Sequence, residues 1–444
     1  MGSIVYLKVW DIICAKSSKI RPDTTGRKAG IMTEKEEKDR CQQIQEMILR
    51  EMDCNNGITD EEILEYIEEQ VLKLGHTVYL PVGKKQEMIR TIFNSIRKLD
   101  VLQEILEDNS ITEIMVNGPN HIFIEREGSL LPYPKSFSSQ SKLEDVVQQI
   151  VGKVNRRVNE ANPIVDVRLL DGSRVNIVLP PVALEGPVVT IRKFPEQPIS
   201  MDKLLEIGSI TEEAAGFLMK LVQAKYNIFI SGGTGSGKTT FLNVLSEYIP
   251  SEERIIVIED AAELQIRGIP NLVRLEVRNA NIEGKNEITI RDLIKSALRM
   301  RPDRIILGEV RDAAACELLN VMNTGHDGSL CTGHANSPKD MLNRLETLVL
   351  IGMDIPLLAV RNQIASALDI VVQLGRLRDK TRKILEIDEV IGMDNGEICL
   401  KPLFQFCEEG KAADGKVIGK LKRISKELRH QEKLLAAGIE LDLD

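Results

Sequence analysis

The sequence is poor in aromatic residues: one Trp, six Tyr and nine Phe make up 4% of 444 residues. A surface that stacks unpaired bases interleaves aromatic with basic side chains, and no stretch of that kind occurs. The charge balance points the same way. Lys and Arg number 58 against 67 Asp and Glu, a net charge of -9, which argues against a broad polyanion-binding surface. The seven cysteines include no CxxC pair, which argues against a zinc ribbon or a disulfide framework and fits a reducing compartment. No apolar run approaches the ~20 residues of a bilayer span. The opening SIVYLKVWDIICA (3–15) is short, carries Lys8 and Asp11, and lacks the cleavage pattern of a signal peptide. Residues 1–31 read as an unordered arm, amphipathic at its start, or as sequence ahead of a start at Met32, after which TEKEEKDR looks like a soluble amino terminus.

Histidine is scarce as well. Of five, His326 and His334 fall within NTGHDGSLCTGHANSPKD (323–340), with Cys331 between them. Two histidines and a thiol invite a metal reading, but zinc sites take three or four ligands. The use of this pair has to be sought upstream.

What is present is ordinary globular material, 43% hydrophobic and 28% charged. The length suits about two to four domains. Residues 32–96 are expected to be helical. Thr59 and Glu62 form a capping box, Ile63, Ile67, Val71 and Leu74 line one face, and Gly75 ends that helix. Residues 97–195 carry short β-rich runs (ITEIMVNG, HIFIERE, VDVRLL, SRVNIVLP, VVTIRKF), interrupted by a helix near 141–157, and read as an α+β domain. PEQPIS (195–200) reads as a linker. Residues 201–444 read as a further domain with a carboxy-terminal extension; from 201 to 375 helices alternate with NIFIS, RIIVIE, NLVRLEV and RIILGE, strands without polar alternation, as in a parallel sheet covered on both faces. RKILEIDEVIGM and EICLKPLFQF are further strands, and SKELRHQEKLLAA (425–437) is a charged helix stopped by Gly438. SPKDMLNRLETLVLIG (337–352) opens a helix on Ser337 and Pro338 with an apolar face at 341, 345 and 348.

Immediately after NIFIS comes GGTGSGKTT: Gly232, Gly233, Thr234, Gly235, Ser236, Gly237, Lys238, Thr239 and Thr240. The spacing G-x-x-x-x-G-K-[ST] lets a glycine-rich backbone curl its N–H groups around phosphate oxygens, at a helix amino terminus whose partial charge is positive. Lys238 then reaches the β/γ-phosphates, and Thr239 ligates Mg²⁺. Such a site needs carboxylates at the ends of neighbouring strands. RIIVIEDAAEL supplies Glu259, Asp260 and Glu263, and RIILGEVRD supplies Glu309. Glu309 stands where Asp is usual, and its longer arm is expected to meet the cation through water.

GGTGSGKTT, IEDAAEL, LRMRPDRIILGEVRD and TGHDGSLCTGHANS, in that order, resemble the type II/IV secretion-system ATPases, and within them the CpaF-like branch that drives tight-adherence (Flp-type) pilus assembly. ITEIMVNG, RRVNEANPIVDVRLLDGSRVNIVLPP and GPVVTIRKF resemble that branch too, so the likeness covers about 97–410. The chain lacks the tetracysteine insert of the type II members. The resemblance implies an α/β fold, a RecA-like P-loop ATPase domain preceded by a smaller α+β domain, in a cytoplasmic homo-hexamer at the inner face of the plasma membrane. It implies ATP and Mg²⁺ as cofactors and an inner-membrane platform protein as partner, with no direct nucleic acid. Glu263 would position the hydrolytic water, and Glu309 would be the Walker B acid. His334 and His326 would be γ-phosphate sensors and relays to the subunit interface. Arg168, Arg174 and Arg192 would reach the phosphates across the interdomain cleft or from a neighbouring subunit. The rival readings are a RecA-like motor of a type IV system serving DNA transfer and a nucleotide-sensing scaffold.

Overall fold

The computed structural model describes residues 33–51, 58–126, 128–154, 156–194, 198–278, 286–412 and 415–441. The arm expected at 1–31 and the first half of the PEQPIS linker lie outside them. Three helices open the described chain: α1 (Glu34–Glu51), α2 (Asp60–Gly75) and α3 (Val82–Arg97). The capping box of α2 is formed: the Glu62 amide donates to Thr59 Oγ1 at 3.3 Å, and the Thr59 amide donates to the Glu62 carboxylate at 2.8 Å. Ile63, Ile67 and Val71 pack against Ile44 and Ile48 of α1 and Met88, Ile92 and Phe93 of α3, a small core of their own. Gly75 is the last residue of α2, but the cap itself, His76, is right-handed.

After a short helix α4 (Val101–Glu107) come β1 (Ile111–Asn117), β2 (His121–Arg126) and β3 (Ser129–Pro132), helix α5 (Gln140–Lys153), then β4 (Ile164–Arg168), β5 (Arg174–Val178) and β6 (Val188–Arg192). They make one antiparallel sheet in the order β3-β2-β1-β6-β5-β4. Period-2 alternation assigns the faces. Val175, Ile177, Val189 and Ile191 lie under Val147 and Ile150 of α5. Arg168 is paired with Arg174, and Arg174 with Arg192. The three arginines therefore form one cross-strand row on the face away from α5. Strand β3 escapes a sequence reading because Leu130 and Leu131 are both exposed at the sheet edge and give no alternation.

The second sheet has nine strands, β15-β14-β13-β12-β7-β11-β10-β8-β9. β7 (Ile228–Gly232), β8 (Ile255–Glu259), β9 (Leu272–Glu276), β10 (Arg304–Leu307), β11 (Leu330–Gly333) and β12 (Ile370–Arg376) run parallel. β13 (Arg382–Asp394), β14 (Glu397–Lys411) and β15 (Val417–Arg423) extend it antiparallel. Both faces are covered. Helices α7 (Glu212–Gln223) and α8 (Lys238–Ser246) bury Ile228, Ile230, Ile255 and Val257 on one side, and α6 (Met201–Glu206) adds Met201 and Leu204. Helices α9 (Ile290–Ala297), α10 (Ala314–Asn323), α11 (Pro338–Gly352) and α12 (Leu357–Ala367) bury Phe229, Ile256, Ile258, Ile305 and Leu307 on the other. This is the RecA-like α/β arrangement expected, with the strand carrying the glycine-rich loop inside the sheet.

The helix expected over 425–437 is shorter: α13 spans only Glu432–Ala437, capped by left-handed Gly438. The physical reason lies in β13. The buried Glu389 carboxylate accepts from the Arg429 and His430 amides at 2.9 and 2.7 Å, taking donors that a helix there would need. Strands β11, β12 and β15 were not anticipated from sequence.

Also on β13, Asp388 is 3% exposed, and its Oδ1 has no hydrogen-bond partner among the described residues. Burial, then the nearby Glu386, push its carboxyl up to about 7. A carboxyl raised in the folded state favours folding while protonated, and the cost of charging it appears as pH rises through the folded value. Asp388→Asn should therefore leave stability at pH 4 nearly unchanged and raise it by on the order of 3 kcal/mol at pH 8, measured by chemical denaturation. Equal effects at both pH values would contradict this reading of the strand.

Candidate active site

The loop 232–239 leaves the carboxyl end of β7 and runs into α8. Two of its glycines have left-handed backbone. Gly235 and Gly237 sit at φ +69° and +96°, where a side chain is strained. A Cβ on Gly232 would stand 2.6 Å from both the Leu374 carbonyl and Ser236 Oγ, so the loop packs backbone against backbone there. Thr239 and Thr240 are half-buried in the first turn of α8.

Lys238 is 7% exposed. Its ammonium donates to the Gly233 carbonyl at 3.0 Å and lies 3.3 Å from His334 Nδ1. Burial lowers its pKa, with Glu309 opposing. As a donor, Lys238 makes Nδ1 the acceptor and places the imidazole proton on Nε2, facing Glu309 Oε1 at 3.0 Å. Glu309 Oε2 in turn accepts from Arg311 at 2.7 Å, and Arg311 lies 3.3 Å from Asp260. One chain of contacts thus links Lys238, His334, Glu309, Arg311 and Asp260, drawn from the ends of β7, β11, β10 and β8. Burial pushes the Glu309 carboxyl up, but Arg311, His334 and Lys238 outweigh it and hold it below the usual range. Asp260 is raised by burial against the pull of Arg311.

Glu263 follows β8, and its position is set by Glu259. That buried carboxylate accepts from the Glu263 and Leu264 amides at 2.9 and 2.8 Å, folding the turn back on the strand end. Asn243 of α8 holds the next residue, accepting from the Gln265 amide at 2.7 Å. Glu259 and Asn243 were not singled out for this from sequence, and only the fold brings them to the turn.

The amino-terminal sheet reaches the same place. Arg168 donates to the Ala262 carbonyl at 2.6 Å and stacks over Phe194. A cleft of about 590 Å³ opens there between Arg168–Gly172 and Phe194 on one side and Gln265–Arg267 and Arg274 on the other. Arg174 pairs loosely with Asp166 at 3.7 Å and acts electrostatically on Asp260. Arg192 pairs with Glu113 at 3.6 Å at the far end of the row.

His326 does not join this assembly. It precedes β11 and lies at the amino ends of the parallel strands, whereas His334 follows β11 at the carboxyl ends. The loop around His326 has a packing role. Arg304, fully buried, makes a bidentate pair with Glu253 and donates to the Val222 carbonyl at 2.6 Å. A Cβ on Gly328 would meet that guanidinium at 2.5 Å. Asn227 Oδ1 holds the Gly328 and Ser329 amides at 2.9 and 3.0 Å. The expectation that His326 senses the phosphate alongside His334 is therefore corrected: the length of a strand separates the two. The same placement, with Cys331 buried inside β11, removes a metal site shared by the three.

A loop of this kind with these acids defines a nucleotide triphosphate site. Residues 96–426 match the family described as "Type II/IV secretion system protein". The chain is 34% identical over 305 residues to a Mycobacterium tuberculosis protein named for conjugal transfer, covering 67% of this chain and 86% of that one. It is 32% identical over 327 residues to the conjugal transfer protein TrbB of Rhizobium radiobacter (72% and 97%). It is 30% identical over 334 residues to the type IV secretion system protein VirB11 of Bartonella henselae (67% and 93%). The solved VirB11 ATPase of Brucella suis is 30% identical, covering 64% of this chain and 91% of its own, with a TM-score of 0.36. The chain belongs to the type II/IV secretion-system ATPases, and it is a nucleotide-binding ATPase of the secretion type.

Burial first, and the Lys238 charge second, hold the His334 imidazole below its ordinary value of 6.5, with Glu309 opposing. Turnover that depends on the neutral ring should persist as pH falls through 6.5 and fail only below it. In His334→Asn that acid limb should disappear, and the rate should fall about tenfold or more at all pH values. Steady-state ATPase assays between pH 5 and 8 test this; an acid limb above the ordinary imidazole value would contradict it.

Proposed function

We propose that the chain hydrolyses Mg²⁺-bound ATP as one subunit of a homo-hexameric motor, and that it drives a pilus-type assembly through a platform protein of the inner membrane. The observation that carries the reading is the contact chain from Lys238 through His334 and Glu309 to Arg311, set around the loop that follows β7. Lys238 holds the β/γ-phosphates, and the amides of 233–239 cradle them. Thr239 and Glu309 are the residues that would hold Mg²⁺. Both offer oxygen, the donor this cation takes, and the cation offsets charge on the phosphate oxygens. Both Glu309 oxygens are engaged by His334 and Arg311, which favours contact through water. Glu263 orients the attacking water from the turn that Glu259 pins. Arg168, Arg174 and Arg192, side by side on one sheet face, supply guanidinium to the charge that builds on the transferred group, within the subunit or across to the next. His326, at the opposite strand ends, is left to contacts with a neighbouring subunit. Among the described residues no helix is long and apolar enough to cross a membrane, so attachment through partners suits the reading.

A second reading has specific support. Relatives over most of the chain carry names from conjugal transfer, which favours a motor of a type IV system serving DNA transfer. The net charge of -9 weighs against direct handling of DNA by this chain.

Glu263→Gln and Glu309→Gln should each lower kcat by about a hundredfold or more while ATP binding survives. Size-exclusion chromatography with light scattering in ATP should show a six-subunit species. Undiminished turnover in both variants would remove the carboxylate assignment, and a fully active monomer would remove the ring. Stimulation by single-stranded DNA would favour the second reading.

A further inference from the structure

A side chain from the carboxy-terminal strands touches the phosphate loop. Arg382, the first residue of β13, donates from Nε to the Gly235 carbonyl at 2.8 Å. Its stem passes 3.6 Å from where a Cβ of Gly237 would stand. Among the described residues no carboxylate pairs with the guanidinium, and the residue is exposed. An unpaired cation at the rim of a phosphate cradle adds to the field that attracts a triphosphate.

The hydrogen bond does more than add charge. A trans peptide sends its C=O and N–H to opposite sides. With the Gly235 carbonyl turned out to Arg382, the Ser236 amide turns into the loop, where it meets the Gly233 carbonyl at 3.3 Å. That carbonyl also takes Lys238 and Ser236 Oγ.

The hairpin that presents Arg382 is itself fixed. Asp379 in its turn accepts from the Thr381 amide and hydroxyl at 2.9 and 2.6 Å, and from the Val417 amide at 2.7 Å. Ser209 Oγ donates to the Arg382 carbonyl at 2.8 Å, and the Ile384 amide donates to the Ser209 carbonyl at 3.0 Å. The strand neighbour Arg376 leaves in another direction, donating to the Gly128 carbonyl of the amino-terminal sheet at 3.1 Å.

We propose that Arg382 is a positioning residue of the nucleotide site, holding the 235–236 peptide with its amide turned into the loop, where a phosphate oxygen would take the place of the Gly233 carbonyl. This rests on the reading of 232–239 as the ATP cradle. The group acts on binding before and during the reaction alike, so its loss falls on KM and leaves kcat.

Full-length Arg382→Ala should raise KM for ATP, and the Kd for ATP by calorimetry, about tenfold, with kcat within about twofold and the melting temperature unchanged. Arg382→Lys, which keeps a cationic donor, should recover most of the affinity. Arg376→Ala, one strand over, should keep the wild-type KM. Unchanged KM in Arg382→Ala, or a parallel loss of kcat and melting temperature that lysine does not rescue, would overturn the proposal. Lys238→Ala in the same series separates the two claims. If it binds ATP normally, the cradle reading itself fails. If it loses ATP while Arg382→Ala does not, only the role of Arg382 is lost.

Discussion

A buried ammonium organises the site. Lys238 lies almost out of contact with solvent, and its partners within the protein are a carbonyl and an imidazole nitrogen. Neither carries a formal negative charge, and the nearest carboxylate, Glu309, stands behind the imidazole. Burying a cation without a directly opposed anion is costly, and the lowered pKa of Lys238 reflects that cost. The arrangement makes sense as one half of an ion pair whose other half is polyanionic. The negative charge of Glu309 is drawn away from Lys238 by Arg311, so the protein does not complete the pair itself.

The sheet explains how residues so far apart in sequence come to one site. Five of the six parallel strands, all but the edge strand β9, are buried on both faces and leave only their ends for polar chemistry. Gly232, Glu259, Glu309 and His334 end or follow four different strands, and parallel order puts all four at one edge. The opposite edge holds a different polar assembly. Arg304, Glu253, Asn227 and the glycine at 328 bond and pack against one another there. His326 belongs to that edge. In sequence it stands eight residues from His334 in a similar-looking setting, and only the four-residue strand between them reveals that they serve opposite ends.

This marks what the sequence could and could not disclose. The phosphate loop was legible because all its determinants are local: a strand, left-handed glycines and a helix start within a dozen residues. The same holds for the Thr59 capping box and the Ser337–Pro338 helix start. The fold class followed from the lack of alternation in β7, β8 and β10. Long-range partners were not legible. Glu259 looked like one of three acids after a strand, and only its bonds to two later amides show that it shapes the turn. Arg382 sits 147 positions from the carbonyl it holds, in a segment with no motif. The last helix was overestimated because helical periodicity takes no account of a carboxylate on a distant strand that captures two backbone amides.

The contacts around the phosphate loop also tie it to the rest of the chain. Three separate parts of the chain meet around it. The turn after β8 is gripped by Arg168 of the amino-terminal sheet, the loop crown is gripped by Arg382, and the end of β12, beside Arg382, reaches Gly128 through Arg376. Each of these bonds ends on a backbone carbonyl, so each responds to where the chain runs and is indifferent to side-chain identity. A triphosphate that reorients the loop peptides or the 260–264 turn alters the geometry of these bonds directly. The amino-terminal sheet is tied to the turn after β8 through Ala262 and to the end of β12 through Gly128, two separated points. Unequal displacement at the two points would rotate one body against the other. On the proposed reading that rotation is the mechanical output of the motor.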